Sequence, residues 1–149
     1  MNTSDPRQQH QHCVLLVDDH AQLRQMLGLA LHMAGFEVRE AATSAEALRW
    51  LSTSLPAAVV LDLQQESDGL NLLRALRERT RFDDLPIVFL AGRPNDELRW
   101  QALKVGADWF SFKPLSLREL QDHVGDLVAR GRPRLRAAGH NQQNEKLAG

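Results

Sequence analysis

Three aspartates and one lysine carry the strongest chemical signal in the chain. Asp18 and Asp19 close the run CVLLVDD, Asp62 comes late in AAVVLDL, and Lys113 directly follows DWFSF. Clustered carboxylates repel one another, so a fold that gathers them usually supplies a cation. Oxygen ligands with no His or Cys among them suit Mg2+, which keeps several waters and binds phosphate oxygens readily. A carboxylate facing such an ion and a lysine can act as a nucleophile and become an aspartyl phosphate. Lys113 would then offer a point charge to the incoming phosphoryl group. The alternative is that these acids cap helix N-termini, where negative charge is favourable. That suffices for Asp18 or Asp19 taken alone, and less well for acids and lysine together.

The surrounding pattern says what would position them. CVLLVDD (13–19) is a short continuous apolar run, as in a strand buried on both faces of a parallel sheet. Leu23, Met26, Leu27, Ala30 and Leu31 then recur at helical spacing, with Gly35 where a helix-ending glycine would stand. FEVRE (36–40) reads as a strand, and Ser44 as the cap of a helix carrying Ala47, Leu48 and Leu51, stopped near Pro56. The rhythm repeats three more times. Strands are expected at 57–63, 86–92 and 108–112, and helices at 70–79, 96–105 and from Leu117 to about Ala129. Ser116 and Glu119 have capping-box spacing. Five strand–helix alternations imply an α/β architecture with a parallel sheet and right-handed crossovers. Ligands of such sheets sit beyond the carboxyl ends of the strands, which is where these acids and the lysine fall.

Totals narrow the function classes. The chain has 149 residues and a formal net charge of −1, so no excess of Lys and Arg equips it to coat nucleic acid. Cys13 is the single cysteine, which excludes an intramolecular disulfide and is compatible with a reducing compartment. The opening MNTSDPRQQHQH lacks the apolar stretch of a secretory leader, and no apolar run approaches membrane-spanning length. A cytoplasmic location is therefore expected. Residues 1–12 read as a disordered lead-in, 13–130 as the folded domain and 131–149 as a basic and polar tail. No helix-turn-helix pattern follows residue 130, so DNA binding is not supported.

The motifs LLVDD (15–19), VVLDL (59–63), DGL (68–70), PIVFLAG (86–92), VGAD (105–108) and FKP (112–114), in this order and spacing, resemble the receiver domain of bacterial response regulators. The resemblance covers about residues 13–130. It implies a flavodoxin-like (CheY-like) doubly wound five-stranded parallel sheet in the order 2-1-3-4-5, with helices on both faces. It also implies a phosphoacceptor at Asp62, direct Mg2+ binding by Asp19, and a water-mediated contact from Asp18. The backbone carbonyl of Gln64 would be a further metal ligand. Lys113 would pair with the phosphoryl oxygens, the bond before Pro114 would be cis, and Phe110 would be the aromatic that moves between outward and inward positions. A sensor histidine kinase or a phosphotransfer protein would donate the phosphoryl group. A downstream effector or output domain would read the result, and a homodimer could form through the fourth helix, fifth strand and fifth helix.

Two departures from the family pattern stand out. The switch Ser or Thr at the end of the fourth strand is Ala91, whose methyl cannot donate a hydrogen bond to a phosphoryl oxygen. The loop after Asp62 reads LQQESDG, shorter and more polar than the family's usual Met-Pro segment. The acids and the lysine are intact, so a phosphorylatable but atypical receiver is favoured over a phosphate-independent interaction module. An enzyme is disfavoured: there is no dinucleotide or P-loop glycine motif, and Gln64 stands where a second catalytic acid would be needed.

Trp100 falls opposite Leu98, Ala102 and Val105 on a helical wheel and is expected to face outward as a partner contact. Trp50 and Trp109 are expected to pack inward. His20 would line the rim of the site, while His10 and His12 read as solvated. Arg130, Arg132, Arg134 and Arg136 form a basic run that reads as a solvated linker.

Overall fold

The computed structural model describes residues 12–113 and 115–133. Five parallel strands are joined in the order β2-β1-β3-β4-β5, which is the expected topology. They are β1 (Cys13–Asp18), β2 (Glu37–Ala41), β3 (Ala58–Asp62), β4 (Ile87–Ala91) and β5 (Trp109–Phe112). The helices between and after them are α1 (Ala21–Met33), α2 (Ser44–Leu51), α3 (Glu66–Arg77), α4 (Asp96–Val105) and α5 (Leu117–Arg130).

Every residue of β1, β3 and β4 is buried, which is why these three strands read as unbroken apolar runs rather than as alternations. The sheet separates two cores. One holds Leu15, Val59, Leu61 and Phe89 under α2, α3 and α4; the other holds Val14, Leu16, Val60 and Leu90 under α1 and α5. Adjacent residues of one strand thus face opposite layers, and a one-residue slip would exchange the two sets. The register is accordingly firm, and it places Asp18 directly beside Asp62.

Two helix starts differ from expectation. The cap of α2 is Thr43, whose Oγ1 accepts from the Glu46 amide at 3.1 Å, while Glu46 returns a carboxylate to the Ala42 amide at 2.8 Å. Ser44 is the first helical residue. Helix α3 begins at Glu66, four residues before the apolar period becomes visible at Leu70. Its first turn is polar because it is exposed at the end of the sheet that carries the acids.

The end opposite those acids is held by a feature the sequence did not suggest. Asp108 is almost fully buried between two guanidiniums: its Oδ1 meets Arg132 Nε at 2.8 Å and its Oδ2 meets Arg77 Nη2 at 3.0 Å. Oδ2 also accepts from the Ile87 amide at 2.8 Å. Arg132 donates further to the carbonyls of Asp83 and Gly106, and Arg77 to those of Phe82 and Gly106. Arg132 therefore belongs to the folded domain and not to a solvated linker; Arg130 remains exposed and pairs with Asp126. Arg134, Arg136 and His10 lie outside the described residues. Gly106 is fixed twice over, by a φ of 135° and by Arg77, whose side chain a Cβ there would meet at 2.9 Å.

Removing one member of a buried ion pair strands the others without solvent. Asp108→Ala, which removes the carboxylate shared by two buried guanidiniums, is expected to cost about 3–5 kcal/mol of stability. Urea denaturation measures it, and a loss below about 1 kcal/mol would show the cluster to be peripheral.

Candidate phosphoacceptor site

The carboxyl ends of β1 and β3, and the residue just past β5, bring Asp18, Asp62 and Lys113 together. Lys113 Nζ lies 2.5 Å from Asp62 Oδ1. Its own amide donates to the carbonyl of Ala91 at 2.8 Å, extending the β4–β5 pairing by one residue and setting the direction of the side chain. Asp62 and Asp18 are only 2% and 1% exposed. Asp18 Oδ1 accepts from the His20 amide at 2.8 Å. The remaining oxygen of each acid, Asp18 Oδ2 and Asp62 Oδ2, is buried with no hydrogen-bond partner.

Two buried acceptors left unpaired side by side are costly by themselves and suit a hard divalent cation. The residues present therefore fit Mg2+. Asp19 stands apart from this pair. It is exposed, and both its carboxylate oxygens take the Gln64 amide, at 3.2 and 3.3 Å. Among the described residues no three acid, His or Cys side chains are gathered closely enough to hold an ion on their own. The expected trio is thus a close pair plus a third acid turned onto the neighbouring loop.

Burial pushes the Asp62 carboxyl up to about 7, and the negative charge of Asp18 adds to the rise; Lys113 opposes both. Burial is the larger effect because the carboxylate loses its hydration at the floor of the site.

The remaining candidates divide by position. His20 caps α1, its Nδ1 accepting from the Leu23 amide at 3.2 Å. Arg24, which had not been singled out, reaches from α1 to the Asp18 carbonyl and to Glu40 Oε1, each at 2.8 Å. That bridge supports the turn carrying Asp18 and Asp19. A cation one turn after an acidic strand end was its only sequence signal. Ala91 is 1% exposed at the end of β4 and offers no hydroxyl. Phe110 is 6% exposed and turned inward, stacked on Phe89 with ring centres 5.4 Å apart and edge-on to Phe112 at 5.0 Å. Phe89 itself presses on α3 at Gly69, where a Cβ would meet its ring at 2.9 Å. Trp100 is 59% exposed, with Lys104 Nζ over its ring at 4.5 Å. Trp50 and Trp109 pack partly buried against the two cores. Pro114 lies outside the described residues.

Above Asp62 opens a depression of about 560 Å3, lined by the β3–α3 segment from Asp62 to Ser67, by Gly92 and Arg93 after β4, and by Lys113. Next to it, and sharing Gly92 and Lys113, lies an apolar groove of about 380 Å3 formed by Leu23, Met26, Leu27, Leu115 and Leu117.

Comparison with known proteins shows what the chain as a whole is similar to. Residues 14–125 match the family described as response regulator receiver domain. The chain is 35% identical over 121 residues to the phosphate regulon transcriptional regulatory protein PhoB of Pseudomonas aeruginosa, covering 80% of this chain and 53% of that one. It is 40% identical over 119 residues to response regulator Rre1 of Synechocystis, covering 78% and 52%. It thus spans about half the length of these curated relatives. Among solved structures, the receiver domain of NtrX from Brucella abortus superposes with a TM-score of 0.71 at 28% identity, covering 78% of this chain and 98% of that one.

The buried carboxyl has a measurable consequence in metal-free solution. A folded-state pKa above the unfolded one means the folded chain holds its proton longer. The stabilising effect of the protonated group is therefore complete below about pH 4, declines as pH rises, and is gone above about 7. With a chelator present, Asp62→Asn should exceed the wild type in stability by a margin that is small at pH 4 and reaches about 2–4 kcal/mol at pH 8. Denaturant titrations of both proteins across that range measure it. Parallel curves would show that Asp62 is not desolvated.

Proposed function

For a chain that belongs to the response regulator receiver family of two-component signalling, we propose that Asp62 is its phosphoacceptor and that it takes the group from a histidine kinase or phosphotransfer protein. The observation that supports this most directly is the buried Asp62 carboxylate with Lys113 on one oxygen and no partner on the other. In the reaction an Asp62 oxygen attacks phosphorus as the bond from phosphorus to the donor's imidazole nitrogen breaks. The electron pair stays on that nitrogen, and Asp62 becomes a mixed anhydride. Lys113 follows the growing charge on the phosphoryl oxygens, already positioned by its backbone bond to Ala91.

Asp18, Asp19 and Asp62 would hold Mg2+, with the Gln64 carbonyl. When bound, the ion would neutralise the acid pair and hold Asp62 ionised at neutral pH. A cytoplasmic location accords with this reading, and no helix is long and apolar enough to cross a membrane among the described residues.

The apolar groove beside the site supports a docking place for the donor protein. Two of the six exposed large apolar side chains among the described residues line it, Met26 and Leu117. Met26, Leu29 and Met33 follow one another at helical spacing along α1, the pattern that receives an apolar helix face. Because the groove and the phosphoacceptor pocket share Gly92 and Lys113, a protein seated there would carry its reactive group over Asp62. The second exposed pair, Trp100 and Leu103 on α4, supports a separate face for an effector or a second copy.

Incubation with acetyl phosphate and Mg2+ should add one phosphoryl group to the wild-type chain and none to Asp62→Asn, read by intact mass. An unmodified wild type, or equal gain in the variant, would refute the assignment. Met26→Asp should slow transfer from a phosphorylated donor protein at least roughly tenfold by breaking the apolar contact. Its reaction with acetyl phosphate should stay unchanged. Equal loss with both donors would remove the groove from the reading.

A further inference from the structure

We propose that Arg93 is the second cationic group of the phosphoacceptor pocket, binding the phosphoryl oxygen that the methyl of Ala91 leaves without a donor. This rests on the reading of Asp62 as phosphoacceptor. A phosphoryl group in transfer spreads its charge over three oxygens, and a receiving site works by placing positive charge against them. Lys113 and Arg93 are the two cationic side chains that line the pocket. Lys113 is already engaged with Asp62. Ala91, at the end of β4, supplies nothing.

Arg93 stands two residues beyond Ala91, on the same segment that ends the strand. Between them Gly92 faces open space, so no side chain obstructs the approach. Arg24, Arg77 and Arg132 are each tied to carboxylates and carbonyls. By contrast, Arg93 is exposed and forms no ion pair with any described residue. It is an uncommitted charge on the wall of an anion's binding place. The planar guanidinium can meet two phosphoryl oxygens at once, where a lysine meets one.

The β3–α3 side of the pocket contains a half-buried carboxylate, Glu66, which repels an incoming phosphoryl group. A cation across the opening offsets that repulsion. Ser67, Gln64 and Gln65 also line the pocket, but as neutral donors they bring no net positive charge against the phosphoryl group.

The test uses the full chain with Mg2+ and acetyl phosphate, following phosphorylation by intact mass. Asp62 attacks phosphorus, the bond from phosphorus to the acetate oxygen breaks, and acetate leaves with the electron pair. Arg93→Ala should lower the rate per unit donor roughly tenfold, mainly through a higher half-saturating donor concentration. Arg93→Lys should recover part of the loss. In an Ala91→Thr background the Arg93→Ala loss should shrink, since a hydroxyl then serves the same oxygen. Melting temperatures should not move, because Arg93 is exposed and forms no ion pair with any described residue.

Wild-type rates in Arg93→Ala, or the same loss in both backgrounds, would overturn the assignment to Arg93 and leave Asp62 standing. A falling melting temperature would also overturn it, by showing that Arg93 holds the fold. A wild type that accepts no phosphoryl group would overturn the Asp62 reading and Arg93 with it.

Discussion

Two carboxylates sit side by side on neighbouring parallel strands because the ladder between β1 and β3 leaves them nowhere else to go. Asp18 and Asp62 are register partners at the ends of strands buried on both faces. Sliding one strand by a residue would separate the acids, but it would also carry Leu16, Val60 and their neighbours into the wrong layer. Burial of a Val or Leu side chain is worth about 1.5–3 kcal/mol, so the apolar register outweighs the repulsion of the two acids. The acids must instead be accommodated where they are. Lys113 does part of this, the proton drawn by the raised Asp62 carboxyl does part in metal-free protein, and the unpartnered oxygens suit a cation for the rest.

How much of this was legible in the sequence follows from what each residue depends on. The strands carrying Asp18 and Asp62 were plain, because residues buried on both faces are apolar without interruption. Lys113 was plain for a related reason, standing at the end of a strand like the acids. The start of α3 was not. Its first turn, Glu66 to Asp68, faces the open end of the sheet and carries no apolar period, so the helix became visible only at Leu70. The α2 cap falls one residue before the expected Ser44 because Thr43 and Ser44 can both cap a helix, and only backbone geometry separates them.

Arg132 was missed for a deeper reason. An arginine in a basic run looks solvated unless its acid is known, and Asp108 lies 24 residues away in sequence. The pairing arises from the closing of α5 back over the α4–β5 junction, and no local pattern encodes it. Asp19 shows the same limit on a smaller scale. Its type and position were informative, but its present partner is a backbone amide on another loop, and every loop residue has one of those.

The substitution at Ala91 bears on how a change at Asp62 could be read elsewhere. A bound group moves a protein only through contacts that differ between two arrangements. In the resembled family, one such contact runs from the phosphoryl group to a hydroxyl at this position and on to an aromatic of β5. Here the hydroxyl is absent, and the aromatic is already seated: Phe110 is stacked on Phe89 and edge-on to Phe112. Aromatic pairs of this kind add about 0.5–1.5 kcal/mol beyond their buried area, so Phe110 has two such contacts holding it inward. On the proposed reading, a phosphoryl group on Asp62 would change the charge of the pocket, and the exposed segment between Ala91 and Asn95, which lines that pocket at Gly92 and Arg93, leads into α4. Coupling through that segment requires only that a cation on it meet the new anion, and it leaves the core aromatic cluster as it is.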